Sequence, residues 1–248
     1  MFAELYTEAF WAGLMKIIGI NIILSGDNAV VIALAARSLP PKQQKQAVIW
    51  GSVAAIVMRV ILTFFAVAML SLPWLKLIGA VLLVYIGVKL LVPEDGHGDV
   101  AAGSNMMQAI KTILLADLVM SLDNVIAVAG AADGSWLLIV LGLLISIPLV
   151  IFGSQLLLKV MDRFPIIITL GAALLGFVAG EMAVTDPAIG AWVSSTFTMV
   201  GEDAYLAGIQ LKYIAGALGA IIVVLIGKAI AKKKLAAAPV EDLAKDAH

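Results

Sequence analysis

Long apolar runs dominate the chain, and short polar stretches separate them. A helix that crosses the hydrocarbon core of a bilayer needs about 20 predominantly apolar residues. Lipid cannot hydrogen-bond the backbone groups that a non-helical segment would expose. The pattern therefore predicts an all-α, polytopic membrane protein with seven transmembrane helices. These expected helices span residues 9–36, 47–70, 74–92, 108–132, 136–158, 164–184 and 211–230.

The composition strengthens this interpretation and excludes several other classes of protein. Of the 248 residues, 62% are hydrophobic and 13% are charged, whereas soluble domains average about 45–50% apolar and about 25% charged residues. The net charge of −1 gives no basis for binding nucleic acid. The absence of cysteine excludes a thiolate metal site, and two histidines are too few for a histidine-rich one.

Positive charge alternates between the connections that join the predicted helices. Cytoplasmic connections of membrane proteins carry an excess of lysine and arginine. Such residues cluster after the first, fifth and seventh helices and around the connection between the third and fourth. We therefore expect an external N-terminus and a cytoplasmic C-terminus. The chain is interpreted as a single transmembrane domain over residues 1–248, in which 231–248 form a mobile cytoplasmic tail.

Two of the apolar segments share a polar motif. Each motif lies in the first helix of a three-helix unit. Three is an odd number, so the second unit would enter the membrane from the opposite side. We therefore expect two inverted repeats, residues 9–92 and 108–184, followed by a seventh helix. At a constant offset, Asn21, Ser25, Asp27 and Asn28 correspond to Asp117, Ser121, Asp123 and Asn124.

Polar side chains within the predicted helices carry the candidate chemistry. A charged residue at the centre of a membrane helix costs about 2.5–3.5 kcal/mol, so such residues are usually paired or functional. One arginine cannot neutralise three aspartates, which leaves some of them for function. For the asparagines, hydrogen bonding between helices is the alternative. The candidate metal ligands are Asp27, Asn28, Asp117, Asp123, Asn124 and Asn21, while Arg59 and Glu181 are candidates for a counter-ion or for proton coupling.

The types of side chain indicate which ion such a site would bind. Carboxylate and amide oxygens without thiol or imidazole suit the hard cations Mg²⁺, Ca²⁺ and Mn²⁺.

Asp27 and Asn28 are neighbours and would diverge on a regular helix, so their convergence predicts local unwinding near Gly26. Glu181 also has an alternative position at the outer membrane edge. Gly176 and Gly180 form a G-x-x-x-G pattern, which predicts a close contact between helices.

The segments SGDNAVVIALAARSLP and SLDNVIAVAGAA resemble the TerC family of integral membrane proteins. The resemblance implies a LysE-like exporter fold with seven helices and, in several members, manganese efflux. It also implies that Asp27, Asp117 and Asp123 are the acids of the motif, with Asn28 and Asn124 beside them. Asn21 stands where the second repeat has Asp117, which leaves open how many carboxylates surround the metal.

We therefore expect a multi-pass secondary transporter of the cytoplasmic membrane, surrounded by lipid, that exports a divalent cation. Mn²⁺ is the expected transported ligand, with no resident cofactor. The chain lacks a P-loop, and a dry carboxylate that releases a metal should take up a proton, so proton exchange is the expected driving force.

Several alternatives remain open at this point. The substrate could be Ca²⁺ or a cationic amino acid, or the protein could supply metal to secreted enzymes. An intramembrane aspartyl hydrolase that uses Asp27 and Asp123 is disfavoured, because the asparagine after each aspartate has no evident role in that chemistry. We expect no enzymatic activity, and homo-oligomerisation is left open.

Overall fold

The computed structural model describes residues 8–70, 72–92, 102–131, 136–201 and 203–237, apart from some side chains such as those of 21–25 and 123–131. Helices account for nearly all of this part of the chain. They are α1 (Glu8–Ala36), α2 (Pro41–Leu70), α3 (Leu75–Leu91), α4 (Ala102–Ala131), α5 (Trp136–Arg163), α6 (Ile166–Val184), α7 (Pro187–Thr196) and α8 (Leu211–Ala237). Three short strands, β1 (Thr198–Val200), β2 (Asp203–Leu206) and β3 (Ile209–Gln210), lie between α7 and α8.

Every predicted transmembrane helix overlaps a helix of the structure, and five helices are long and apolar enough to cross a bilayer within the described residues. Those five stretches are Pro41–Thr63, Asn105–Leu122, Val140–Arg163, Ile166–Val184 and Leu211–Ala236. Helix α3 has 17 residues, and α1 contributes two shorter apolar stretches, Phe10–Ile20 and Gly26–Ala36. The protein is therefore a multi-pass helical membrane protein.

Helix α8 shows the surface that lipid would contact. Large apolar side chains along it are half exposed or more, including Leu218 at 55%, Ile221 at 53% and Leu225 at 64%. Apolar surface in water is unfavourable by about 25 cal/mol per Å², so this helix requires an apolar solvent. It also continues to Ala237 rather than ending at 230 as expected. Lysine side chains in the added turns can extend toward the membrane surface.

The predicted unwinding of the first helix is wrong. Helix α1 is α-helical from Glu8 to Ala36, through Gly26. Glycine permits a break but does not force one, and in an apolar interior every lost backbone hydrogen bond costs several kcal/mol. The unbroken helix is therefore the favoured state of this segment.

The connection between α6 and α8 is more ordered than the expected all-α class implies. It contains α7 and an antiparallel sheet in the order β1-β2-β3, with Thr198 opposite Tyr205 and Tyr205 opposite Gln210. The turns between the strands contain Gly201 at φ 64° and Gly208 at φ 82°. Only glycine adopts this left-handed region at no steric cost, and these two residues make the short turns possible.

The packing of the six preceding helices is nearly symmetric. Helix α1 packs on α4 and α5, and α2 also packs on α4 and α5. Helix α3 packs on α6. Helix α3 also contacts α4, and α6 makes the corresponding contact with α1. Exchanging α1, α2 and α3 for α4, α5 and α6 therefore reproduces the main set of helix pairs.

The predicted close contact at the G-x-x-x-G pattern is confirmed, and the partner helix is α8. A Cβ atom added to Gly176 would collide with the carbonyl oxygen of Gly219, and one added to Gly180 would collide with that of Ala215. The backbones of α6 and α8 therefore touch directly, as small residues allow in membrane helices. This contact fixes α8 against the six-helix core.

Candidate functional site

A buried ion pair joins α2 to α4 in the interior of the bundle. A guanidinium nitrogen of Arg59 lies 2.5 Å from Oδ1 of Asp117, and the two side chains are 5% and 8% exposed. Arg59 Nε donates to Ser121 Oγ at 2.9 Å, and that hydroxyl donates to the other carboxylate oxygen at 3.1 Å. The three side chains form a closed hydrogen-bonded triangle, which offsets part of the cost of burying both charges.

Helix spacing explains why Asp117 and Ser121 act together. They are four residues apart on α4 and therefore lie on one face of the helix, one turn from each other. Arg59 reaches that face from α2, and Thr63 on the next turn donates to the Arg59 carbonyl oxygen at 2.7 Å. The second motif thus presents its polar face to the only arginine within the predicted spans.

The first motif approaches the same place from α1. Asn28 is 4% exposed, and it lines a narrow cavity together with Asp117, Val31, Ile32 and Ile113. The cavity is too small to admit a water molecule. One residue of each repeated motif therefore lines the same closed space, the amide of Asn28 from α1 and the carboxylate of Asp117 from α4.

Asp27 lies at the edge of this arrangement. Its side chain is half-buried, and its Oδ1 accepts a hydrogen bond from the backbone N–H of Asn28 at 2.7 Å. Its carboxylate is close enough to Arg59 and Asp117 for the charges to interact. When ionised, these two carboxylates and one guanidinium leave a net charge of −1, which a bound cation can offset.

Three predicted ligands, Asn21, Asp123 and Asn124, have side chains outside the described part of the structure. Their backbones belong to α1 and α4, so their roles stay predictions. Among the side chains that are described, no three Asp, Glu, His or Cys residues form a cluster that could hold a metal ion.

Glu181 does not join the group around Arg59 and Asp117. It lies in the last turn of α6, where its carbonyl oxygen accepts a hydrogen bond from Thr185 Oγ1 at 3.1 Å. Its carboxylate acts electrostatically on Lys212, at the start of α8. This position favours the membrane-edge interpretation of Glu181 over a part in proton coupling.

A second buried carboxylate, Asp186, escaped the sequence analysis. It is 1% exposed, and it accepts backbone N–H groups from Ala188 at 2.7 Å, Trp74 at 2.9 Å and Leu77 at 3.0 Å. It therefore caps α7 and holds the start of α3. Burial opposes its ionisation, but these backbone hydrogen bonds outweigh that effect and hold its pKa below the ordinary value. Its signal was an aspartate directly before a proline, a common start of a helix.

Comparison with known proteins identifies the family of this chain. The model of the integral membrane protein TerC family matches residues 6–235. The chain belongs to the TerC family. The match includes both motif segments and all the helices that surround the Arg59–Asp117 pair, so the candidate site lies within the part of the chain that defines the family.

Relatives in the TerC family are also membrane proteins. The membrane protein YjbE of Bacillus subtilis is 47% identical over 173 residues, which cover 70% of this chain and 79% of YjbE. YceF of the same organism is 25% identical over 194 residues, 74% of this chain and 75% of YceF. The inner membrane protein YoaE of Escherichia coli is 26% identical over 67% of this chain and 36% of its own length. No solved structure matches the chain.

Proposed function

We propose that this TerC-family protein is a secondary transporter of the cytoplasmic membrane that exports a divalent metal cation, with Mn²⁺ as the expected ion. One observation carries the proposal. The two helices that bear the repeated motif bring Asn28 and Asp117 to the same closed cavity, with Asp27 within electrostatic reach.

The chemistry of these side chains favours a hard cation. They offer carboxylate and amide oxygens, which Mn²⁺, Mg²⁺ and Ca²⁺ accept as ligands. Asp123 and Asn124, the repeat counterparts of Asp27 and Asn28, would complete the ligand set from α4, and Asn21 would add an amide from α1. A divalent cation would also offset the excess negative charge of the site, which a neutral solute would not.

Arg59 has a specific part in this proposal. Its guanidinium neutralises Asp117 when the metal is absent and acts as a tethered cation that the arriving ion displaces. Such an exchange avoids leaving a buried carboxylate unpaired, which costs about 3–5 kcal/mol. The cavity would open for the ion and close again around the ion pair after the ion has left.

Export needs a driving force. Moving a divalent ion out of a cell against 100 mV costs about 4.6 kcal/mol. The chain lacks a P-loop, so we propose exchange for protons, with Asp27 neutralised by a proton after the metal has left. Seven spans in two inverted repeats, with the N-terminus outside, would give the alternating access that exchange requires. The symmetric pairing of α1–α3 with α4–α6 supports this architecture.

A cationic amino acid is the second candidate substrate, and one observation favours it. Asp117 and Ser121 already hold a guanidinium group, the group that an arginine substrate would carry. Against it stands the size of the cavity, which admits no water molecule. A metal ion needs less rearrangement of the helices than an organic cation, so the metal is preferred.

Calorimetry on the purified protein tests the metal site. We expect Mn²⁺ to bind to the native protein, and the substitutions D27N, D117N and D123N each to weaken binding by about tenfold or more. D203N is the matched control, because Asp203 pairs with Lys212 outside the site, and its affinity should not change. Native affinity in all three site variants would refute the proposal, and titration with arginine would then test the second candidate.

The part proposed for Arg59 has its own test in the same assay. R59Q removes the tethered cation that competes for Asp117, so we expect tighter Mn²⁺ binding and lower stability in the absence of metal. Unchanged affinity would show that Arg59 does not compete with the ion. In proteoliposomes, Mn²⁺ movement without any accompanying proton flux would rule out proton exchange and leave the binding site intact.

A further inference from the structure

The small sheet between α7 and α8 has one polar face and one apolar face. Successive side chains of a strand point to opposite faces, and residues that pair across strands share a face. Asp203, Tyr205 and Gln210 therefore lie on one face. There, Gln210 Nε2 donates to Asp203 Oδ2 at 3.1 Å and to the Tyr205 hydroxyl at 3.0 Å. Leu206 and Ile209 pair with each other and lie on the opposite face.

Two aromatic side chains extend the apolar face beyond the strands. Phe197 precedes β1 directly and has extended backbone, at φ −114° and ψ 159°. Its side chain therefore points to the same face as Leu206, which it would oppose if the register of β1 and β2 continued by one pair. Its ring packs edge-on against Trp192 of α7, with the ring centroids 5.7 Å apart. These side chains form an apolar row that consists of Trp192, Phe197, Leu206 and Ile209.

The apolar row remains largely uncovered by the described residues of the protein. Trp192 is 58% exposed, Leu206 46% and Ile209 54%. Exposed apolar side chains that are scattered singly are normal, and Val200 on the polar face is one of them. Four apolar side chains in a row, opposite a face of hydrogen-bonded polar groups, are not scattered. Such a patch marks a surface that contacts another protein or a membrane.

The position of the row along the chain places it at the level of the membrane surface. The apolar stretch of α6 ends at Val184 and that of α8 begins at Leu211, so residues 185–210 join two helix ends at one surface. Ile209 precedes Leu211 by two residues, which span at most about 7 Å, and both β2 and β3 contact α8. The headgroup layer on each side of a bilayer is about 5–7 Å thick. Ile209 therefore lies within or directly beside the headgroup layer.

We propose that the apolar row is immersed in the lipid of the surrounding membrane and anchors the connection between α6 and α8 to the bilayer. Lipid fits the row better than a second copy of the chain, because a stable protein–protein interface takes about 20–30 residues from each partner. Ile209 also lies next to the surface of α8 that faces lipid, which starts with Tyr213 at 50% exposure and continues with Leu218. Tryptophan, here Trp192, is enriched at this level of a membrane. The polar face of the sheet then contacts water.

Spin labels on single cysteines measure the depth of the row in the full chain, because the native sequence contains no cysteine. L206C and I209C place a label in the row. T198C is the matched control, because Thr198 is exposed on the polar face of the same sheet. In phosphatidylcholine vesicles, collisions of each label with oxygen and with a water-soluble nickel chelate give its depth. We expect both row labels about 5–10 Å inside the headgroup boundary and the control label in water.

Each other outcome would overturn the proposal in a different way. Access of the nickel chelate to either row label, equal to its access to T198C, would place the row in water. Shielding from both reagents would show that protein covers the row, and dipolar broadening that disappears on dilution with unlabelled protein would identify a second copy as the cover. Immersion of T198C to the same depth would show that the two faces of the sheet are not distinguished. If L206C or I209C fails to fold, the other row label decides alone.

Discussion

At the scale of single residues, Arg59 illustrates how an apolar interior accommodates charge. Its guanidinium, the Asp117 carboxylate and the Ser121 hydroxyl satisfy one another, and each would be costly to bury alone. The sequence indicates that one arginine and several aspartates lie in the membrane interior and that the arginine can pair with one of these aspartates. It does not indicate which aspartate is paired, because that depends on the rotation of α2 against α4.

The placement of Asn28 was more predictable than that of Asp27. The repeat places Asn28 and Asp117 in corresponding helices, and the structure brings both to one cavity. Adjacent residues on a helix diverge by about 100°, and because α1 does not unwind, Asp27 and Asn28 point in different directions in this structure. Asp27 instead bonds the backbone N–H of Asn28. Sequence spacing therefore did not predict how an unbroken backbone would arrange Asp27 and Asn28.

Asp186 leads to a prediction about acid stability. Its three backbone N–H bonds join the start of α3 to the start of α7. An asparagine there would turn an N–H donor toward one of these N–H groups, so we expect D186N to lower the free energy of unfolding at pH 7 by about 2 kcal/mol. Thermal or denaturant unfolding in detergent measures the loss. D162N, which removes an exposed carboxylate at the end of α5, should unfold like the native protein.

The same substitution has a defined pH dependence. The folded-state pKa of Asp186 is below its ordinary value of 3.8, so ionised Asp186 contributes stability above pH 3.8. This contribution is lost as the pH falls through the folded-state pKa. The difference between the native protein and D186N should therefore be constant from pH 7 to about pH 5 and shrink below pH 3.8. A difference that grew with acidity would contradict the assigned role of the carboxylate.

At the scale of helices and strands, the length of the apolar runs predicted where the long helices lie. The short polar segments did not reveal the structure that they adopt. Each predicted span coincides with a helix because the bilayer permits few other structures. Residues 185–208 lie outside that constraint. There, α7 depends on the cap at Asp186, and the sheet depends on turns at Gly201 and Gly208. Nine strand residues and a ten-residue helix produce a weaker periodic signal than any transmembrane run.

The contact between α6 and α8 gives the element-scale prediction. Alanine at Gly180 would place a methyl group against the carbonyl oxygen of Ala215, a backbone atom that cannot move without shifting α8. We expect G180A to lower the free energy of unfolding by about 1–3 kcal/mol, as measured by unfolding in detergent. G190A is the control, because Gly190 lies within α7 with no atom near its added Cβ, and alanine there should be neutral or slightly stabilising. Native stability of G180A would show that α8 is not held by this contact.

At the scale of the whole molecule, the packing of the first six helices is nearly symmetric. When α1, α2 and α3 are exchanged for α4, α5 and α6, the main pairs of contacting helices stay the same. Few residues of the sequence indicate this order, since the recognisable repeat consists of two short motifs, one in α1 and one in α4. Whether the two repeats are inverted, and which side of the membrane each connection faces, depends on which helices cross the bilayer. Five helices meet the length and hydropathy expected of spans among the described residues, while α1 and α3 are the two on which the inverted repeat also depends.

Labelling of single cysteines decides between seven and five spans, because the native chain contains no cysteine. The positions are Lys45 at the start of α2, Gly190 in α7 and Lys233 near the end of α8, all of them exposed. With seven spans, a membrane-impermeant maleimide added to intact cells should label G190C, while K45C and K233C should react only after lysis. If only the five long apolar helices crossed, K45C would lie on the same side as G190C and opposite K233C. The reaction of K45C therefore tests whether α3 crosses the membrane, on which two inverted repeats depend, because α3 lies between Lys45 and Gly190 and α1 does not.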